Sequence, residues 1–229
     1  MSHPPFEAQV GGIAALDHLL SRRAYQLVLD EGSVGRDTAA AALGVARSVA
    51  AFHLDKLVDA GLLDAGYERI SGRTGPGAGR PAKIYRRSSQ EIDVSLPPRR
   101  YDLAGSVLAE AVSRAASGAV SVTQAVATVA REIGQRIGDE ARPESDDRSP
   151  RARLVAILSR YGYEPRDDGA EVRLVNCPFH RLAEEHRDLV CGMNRDLLNG
   201  VIDGAGGSDC FDAELAPEPG SCCVRVRSR

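Results

Sequence analysis

The alternation of apolar and polar positions divides the chain into a helical stretch, a helix pair followed by a ribbon, and a longer mixed region. Ile13, Leu16, Leu19, Leu20, Tyr25, Leu27 and Val28 recur at helical spacing and predict a first helix over 13–30. Pro4, Pro5 and the Gly11-Gly12 pair make 1–12 a loose arm. Asp37 stands where the N-cap of the next helix is expected. That helix ends at Leu43, a tight turn takes Gly44 and Val45, and another helix runs from Ala46 to Gly61, where a left-handed residue is easiest to place. Strand-like runs cover 62–70 and 83–87, joined by a loop with Gly72, Gly75, Gly77 and Gly79. The order reads as a helix-turn-helix and a wing.

Within the second helix of the pair, Ala46, Val49, Ala50, His53, Leu54 and Leu57 share one side, leaving Arg47, Ser48, Ala51, Phe52, Asp55 and Lys56 on the other. A helix lying in a major groove needs donors for base edges and phosphates, and small residues that permit close approach. Phe52 suits a thymine methyl or packing under the wing. From Arg69 to Arg87 the chain carries Arg69, Arg73, Arg80, Lys83, Arg86 and Arg87 with no acidic residue between them, a run that favours phosphate contact. Candidate DNA-contacting residues are therefore Arg47, Ser48, Ala51, Phe52, Lys56, Arg73, Arg80 and Lys83. Helix pairs of this kind also serve as plain protein packing, but the ordered conjunction of helix pair, glycine loop and basic strand favours double-stranded DNA. The ending GRPAKIYRR resembles the wing and third strand of winged-helix transcription regulators of the ArsR, MarR and DeoR type.

After the ribbon, SSQEIDVSLPPRR over 88–100 reads as an extended linker and a domain boundary. Two amphipathic helices follow at 101–116 and 120–140, with Ala104, Gly105, Ala111 and Ala115 small enough for close helix contact. They suit a dimer seam, as regulators with near-palindromic operators need, or the core of a single chain. A polar break at 142–147 precedes a helix over 151–161, strands at 163–166 and 171–175 around the turn Asp167-Asp168-Gly169, helices at 179–186 and 189–203, and strands at 211–215 and 222–227. The expected fold class is α+β: a winged helix-turn-helix domain at 1–90, a helical dimerisation segment at 101–148, and a small α+β sensor domain at 149–229.

Charge sharpens this division. Up to Gln90 there are 11 Lys and Arg against 9 Asp and Glu; from Tyr101 onward there are 16 against 21. The basic part is the expected DNA part, and the acidic remainder should face something else. No apolar run reaches membrane-spanning length and the start MSHPPFEAQV lacks a signal-like core, so a cytoplasmic protein with no membrane partner is expected. No phosphate-cradling glycine motif, carboxylate pair or nucleophile-base spacing suggests an enzyme.

All five cysteines lie beyond Asn176. None form a CxxC pair, so any site must be assembled from separated elements, as suits a sensor. In the last strand, Cys222, Val224 and Val226 share one face, and Cys223, Arg225 and Arg227 the other. The valine face should pack on the helix carrying Cys191, which favours Cys222 as a ligand, unless a bulge at Pro219-Gly220 reverses the choice. Cys210 is the expected bystander. His180, three residues after Cys177, is a candidate fourth ligand or a helix cap. CPFHRLA, then LVC, then a carboxy-terminal strand cysteine is similar to the SufR-type iron-sulfur-sensing winged-helix repressors. That resemblance implies a homodimeric repressor with a cluster held in each subunit by three cysteines, here Cys177, Cys191 and Cys222 or Cys223, controlling operator affinity. A Cys3His set with His180 suits zinc equally. A third alternative makes the distal domain a pocket for an apolar metabolite, with incidental cysteines.

Overall fold

The computed structural model describes residues 6–68, 81–118, 120–142 and 148–229, an α+β chain that divides into two compact units, Met1–Val94 and Ser95–Arg229. The expected glycine loop, with Arg69, Arg73 and Arg80, and the polar break from residue 143 to 147 lie outside the described residues.

The N-terminal unit begins with α1 (Phe6–Ala15), where a loose arm was expected, and α2 (Leu19–Glu31). The single helix predicted over 13–30 is thus two. The break falls at Asp17-His18, where the His18 ring accepts the Leu20 N–H and caps α2. Gly12 lets α1 close on Ile92, whose side chain occupies the space a Cβ would need. The short strand β1 (Ser33–Gly35) leads into α3 (Arg36–Leu43); its N-cap is Gly35, and Asp37 sits in the first turn instead of at the cap. Gly44 closes α3 in the left-handed conformation, with φ 69°. Then come α4 (Arg47–Asp59), β2 (Leu63–Glu68) and β3 (Ala82–Arg87). β3 pairs antiparallel with both β2 and β1, giving the order β1-β3-β2. Leu54, Leu57 and Tyr85 are fully buried where α4 meets this sheet.

The C-terminal unit contains α5 (Tyr101–Ala115), α6 (Val122–Glu140), α7 (Pro150–Arg160), β4 (Pro165–Asp167), β5 (Glu171–Leu174), α8 (His180–Glu185), α9 (Arg187–Gly204), β6 (Phe211–Leu215) and β7 (Val224–Ser228). The helices expected as a separate segment share one core with the cysteine-bearing elements: Ala104 and Ala111 of α5 are buried beside Val129 of α6 and Leu197 of α9. Both expected hairpins merge into one antiparallel sheet, β4-β5-β7-β6, because β5 pairs with β7.

α9 is the spine of this unit, packed on α6 and on β6 and β7. Its approach to α6 is backbone on backbone. Cβ atoms at Gly134 and Gly138 of α6 would strike the Leu197 and Val201 carbonyls, and those at Gly200 and Gly204 of α9 would strike Arg131 and Gln135. Four glycines at spacing four therefore set the interhelical distance, and the two helices run in the same direction. Among the described residues no helix is long and apolar enough to cross a membrane.

Candidate functional site

Each unit gathers one set of chemistry-bearing side chains. On α4, Ala50, His53, Leu54 and Leu57 are buried as periodicity requires, while Ala46 and Val49, expected on the same side, are exposed near the helix start. Arg47, Ser48, Phe52 and Lys56 are exposed, Phe52 by 65%, and Ala51 is partly covered. Arg47 donates to Asp37 of α3 at 2.6 Å in a well-solvated pair, of a kind that contributes little to stability.

Beneath this face, Asp55 collects three donors: Arg36 at 2.9 Å, Lys83 at 2.7 Å and the Tyr85 hydroxyl at 2.6 Å. Arg36 also donates to the Tyr85 oxygen at 2.9 Å. Burial works to raise the Asp55 carboxyl, but the bonds from Lys83 and Tyr85 and the nearby cations outweigh it and hold the group below the ordinary carboxylate value. Lys83, expected at phosphates, is thus spent on tying β3 to α4. Asp55 itself was assigned to the reading side from periodicity, which places a residue on a helix face but cannot reveal a partner some thirty residues away. On the buried side, the His53 ring bonds the Ser21 hydroxyl at 3.0 Å and stacks on His18, and desolvation first, then the His18 and Lys56 charges, lower its affinity for a proton.

The cysteines occupy the other unit. Cys177 follows β5 in a loop anchored by fully buried Phe179, whose ring meets Tyr163 edge-on. Cys191 lies in α9 beyond its first turn. Cys222 and Cys223 immediately precede the β7 ladder, where Cys222 N–H bonds the Leu174 carbonyl at 2.8 Å. Cys222 is buried with the valine face as alternation predicts, and Cys223 sits on the opposite face. The helix-borne partner nonetheless meets the second of the pair: Cys191 and Cys223 form a disulfide, with Cα atoms 6.2 Å apart. The turn through Gly220, at φ 77°, swings Cys223 back over the start of α9. Cys177, Cys191, Cys223 and His180 line one solvent-open cavity of about 560 Å³, together with Glu184, Arg187 and the 217–221 turn.

Cys222 faces inward. Its thiol pairs with Cys177 and accepts from Asn194 at 3.3 Å, and Asn194 in turn accepts the Tyr163 hydroxyl at 2.6 Å. The bond from Cys222 favours the Cys177 thiolate against its burial, aided by the Phe179 amide and the Arg99 charge. The same bond, burial and the Cys177 charge push Cys222 far up, so Cys222 keeps the proton. The His180 ring is exposed and, instead of capping a helix, pairs with Glu184 at 3.3 Å. Cys210 is exposed and free, away from the cavity lining. Among the described residues no group of three or more His, Cys, Asp or Glu stands ready to hold a metal ion, and two of the cavity's sulfurs are joined in the disulfide. The adjacency of Cys222 and Cys223 left their assignment open because strand alternation tells which side of the sheet a residue takes, not where a cavity opens. Asn194 and Asn176, which hold Cys222 and the Cys177 loop, carried no pattern that would single them out.

No protein-family model matches the chain, and neither the curated proteins nor the solved structures yield a match.

Proposed function

We propose that this chain is a cytoplasmic transcriptional regulator that binds a near-palindromic double-stranded operator as a homodimer, with affinity set by an iron-sulfur cluster in its C-terminal unit. The N-terminal unit acts as a winged helix-turn-helix domain. Arg47, Ser48, Ala51, Phe52 and Lys56 meet the major groove, Arg73 and Arg80 meet phosphates, and Lys83 holds the wing to α4 through Asp55. Once a cellular dithiol reduces the Cys191–Cys223 disulfide, itself becoming a disulfide, Cys177, Cys191 and Cys223 would hold the cluster with His180 as the fourth ligand, and Cys222 would support Cys177 from behind. The cluster supplies a centre sensitive to oxygen and iron supply. The observation that supports this reading is that Cys177, His180, Cys191 and Cys223, drawn from separate segments, line one solvent-open cavity. The same Cys3His set suits zinc.

The Cys191–Cys223 disulfide favours a second reading, a metal-free thiol switch. There the two thiols lose two protons and two electrons to a peroxide, which leaves as two waters.

Protein purified without oxygen, analysed for iron, sulfide and zinc, and used to select duplexes from a random pool, tests the proposal. The expected result is iron and sulfide in about equal amounts and a selected duplex whose affinity changes when the cluster is removed. Zinc alone supports the zinc centre, thiol loss on peroxide without metal supports the switch, and failure to enrich any duplex overturns the regulator.

A further inference from the structure

Resting on that reading, the structure also offers a route out of the cavity. The two units are joined covalently at Val94-Ser95, and the first residues of the C-terminal unit form a connector ahead of α5. Pro97 and Pro98 fix two φ angles of this connector, so it has few ways to yield. It is fastened to the loop that carries Cys177 at several points. Arg99 Nη1 donates to the Asn176 side-chain oxygen at 2.5 Å and to the Cys177 carbonyl at 3.1 Å. The Asn176 amide donates to the Pro98 carbonyl at 3.0 Å and to the Gly162 carbonyl at 2.5 Å. Arg100 N–H donates to the Pro178 carbonyl at 3.1 Å. Pro98 itself packs on Gly162, where a Cβ would lie 2.7 Å from the proline ring.

Cys177 thus faces two ways. The residue lines the cavity, and its carbonyl accepts from the connector. Asn176 is buried, and each of its side-chain groups is bonded, so a shift of the loop must carry the connector with it or break these bonds. We propose that Arg99 and Asn176 are positioning residues that convert the state of the Cys177 sulfur into a change of the 95–100 connector. Ligation that draws the Cys177 backbone toward the cavity strains or breaks the bonds from Arg99 and Arg100 and releases the connector, whereas the Cys191–Cys223 disulfide leaves those bonds in place. Coupling between two sites requires such a two-state element that both can bias.

The test is hydrogen exchange of peptides covering 95–104, measured on the full chain in three states: fully reduced and metal-free, oxidised with peroxide, and reconstituted with iron and sulfide. In the wild type, exchange in this segment rises at least about 5-fold between the reduced state and the state reconstituted with iron and sulfide, a size in keeping with ordinary coupling free energies. Arg99→Ala, checked for an unchanged thermal transition, exchanges fast in all three states while its iron content and peroxide-sensitive thiol count stay at wild-type levels. Wild-type exchange that is the same in all three states, or an Arg99→Ala variant that retains the state dependence, overturns the proposal. Iron content and duplex selection report separately on the proposed function, so its failure is read from different measurements.

Discussion

The two units present their chemistry in opposite ways. In the N-terminal unit most of the candidate side chains stand along one helix, α4, and project outward from a core that ordinary helical periodicity fills. In the C-terminal unit they come from a loop, a helix and the approach to a strand, spread over nearly fifty positions, and meet only because β5 pairs with β7 and α9 crosses behind them. A local arrangement can be altered residue by residue with small structural cost. An assembled one depends on the spacing of whole elements, which is why glycines at the α6–α9 contact should be as sensitive as the cysteines themselves.

The largest expected effect follows from that dependence. Gly200→Ala puts a methyl against the Arg131 backbone, where neither helix can give, and should cost the C-terminal unit about 3 kcal/mol or more. Gly192→Ala, in the same helix but with open space around it, should instead gain about 0.5–1 kcal/mol. Urea unfolding monitored separately for each unit checks both, and equal effects would refute the close α6–α9 contact.

Next in size is Asp55→Ala, which strips three donors of their acceptor and should destabilise the N-terminal unit by about 1–2 kcal/mol, allowing for the partial exposure of the carboxylate. Its unfolding midpoint should fall while that of the C-terminal unit stays. Acid should separate the units in the same sense. His53 binds a proton less readily in the folded state than in the unfolded one, so the unfolded state takes up more protons and stability falls as pH drops below about 6.5. Asp55 is depressed, so its contribution is intact above about 3.8 and is lost as pH falls through its lower folded value. Thermal unfolding between pH 8 and 5 should therefore show the first loss in the N-terminal unit, and His53→Gln should flatten it.

Much of the N-terminal unit could be read from the chain because its signals are local: the Gly44 turn, the Leu54 and Leu57 spacing, and the alternation leading to Tyr85. The α1 helix escaped because Gly11-Gly12 argues against helix locally, and only its packing on Ile92 supplies the reason for glycine there. The C-terminal elements were also visible one by one. Their assembly was not, since β5–β7 pairing and the four-glycine contact are long-range facts, and the turn at Gly220 brings Cys223 to Cys191 against the choice that strand alternation favours.

The smallest predicted effect concerns the outward face. Lys56→Ala should weaken binding to a selected duplex roughly uniformly and reduce the slope of log affinity against log salt by about 1, as expected when a single phosphate loses its cation. An unchanged slope would remove Lys56 from the interface.

The most direct test of the central claim compares Cys222→Ser with Cys223→Ser in protein reconstituted anaerobically with iron and sulfide. If the proposed cluster is held at the cavity, Cys223→Ser should lose the visible absorption and the bound iron, as should Cys177→Ser and Cys191→Ser, while Cys222→Ser should retain bound iron. Loss in Cys222→Ser with retention in Cys223→Ser would contradict it, and would place the ligands on the buried face of the strand.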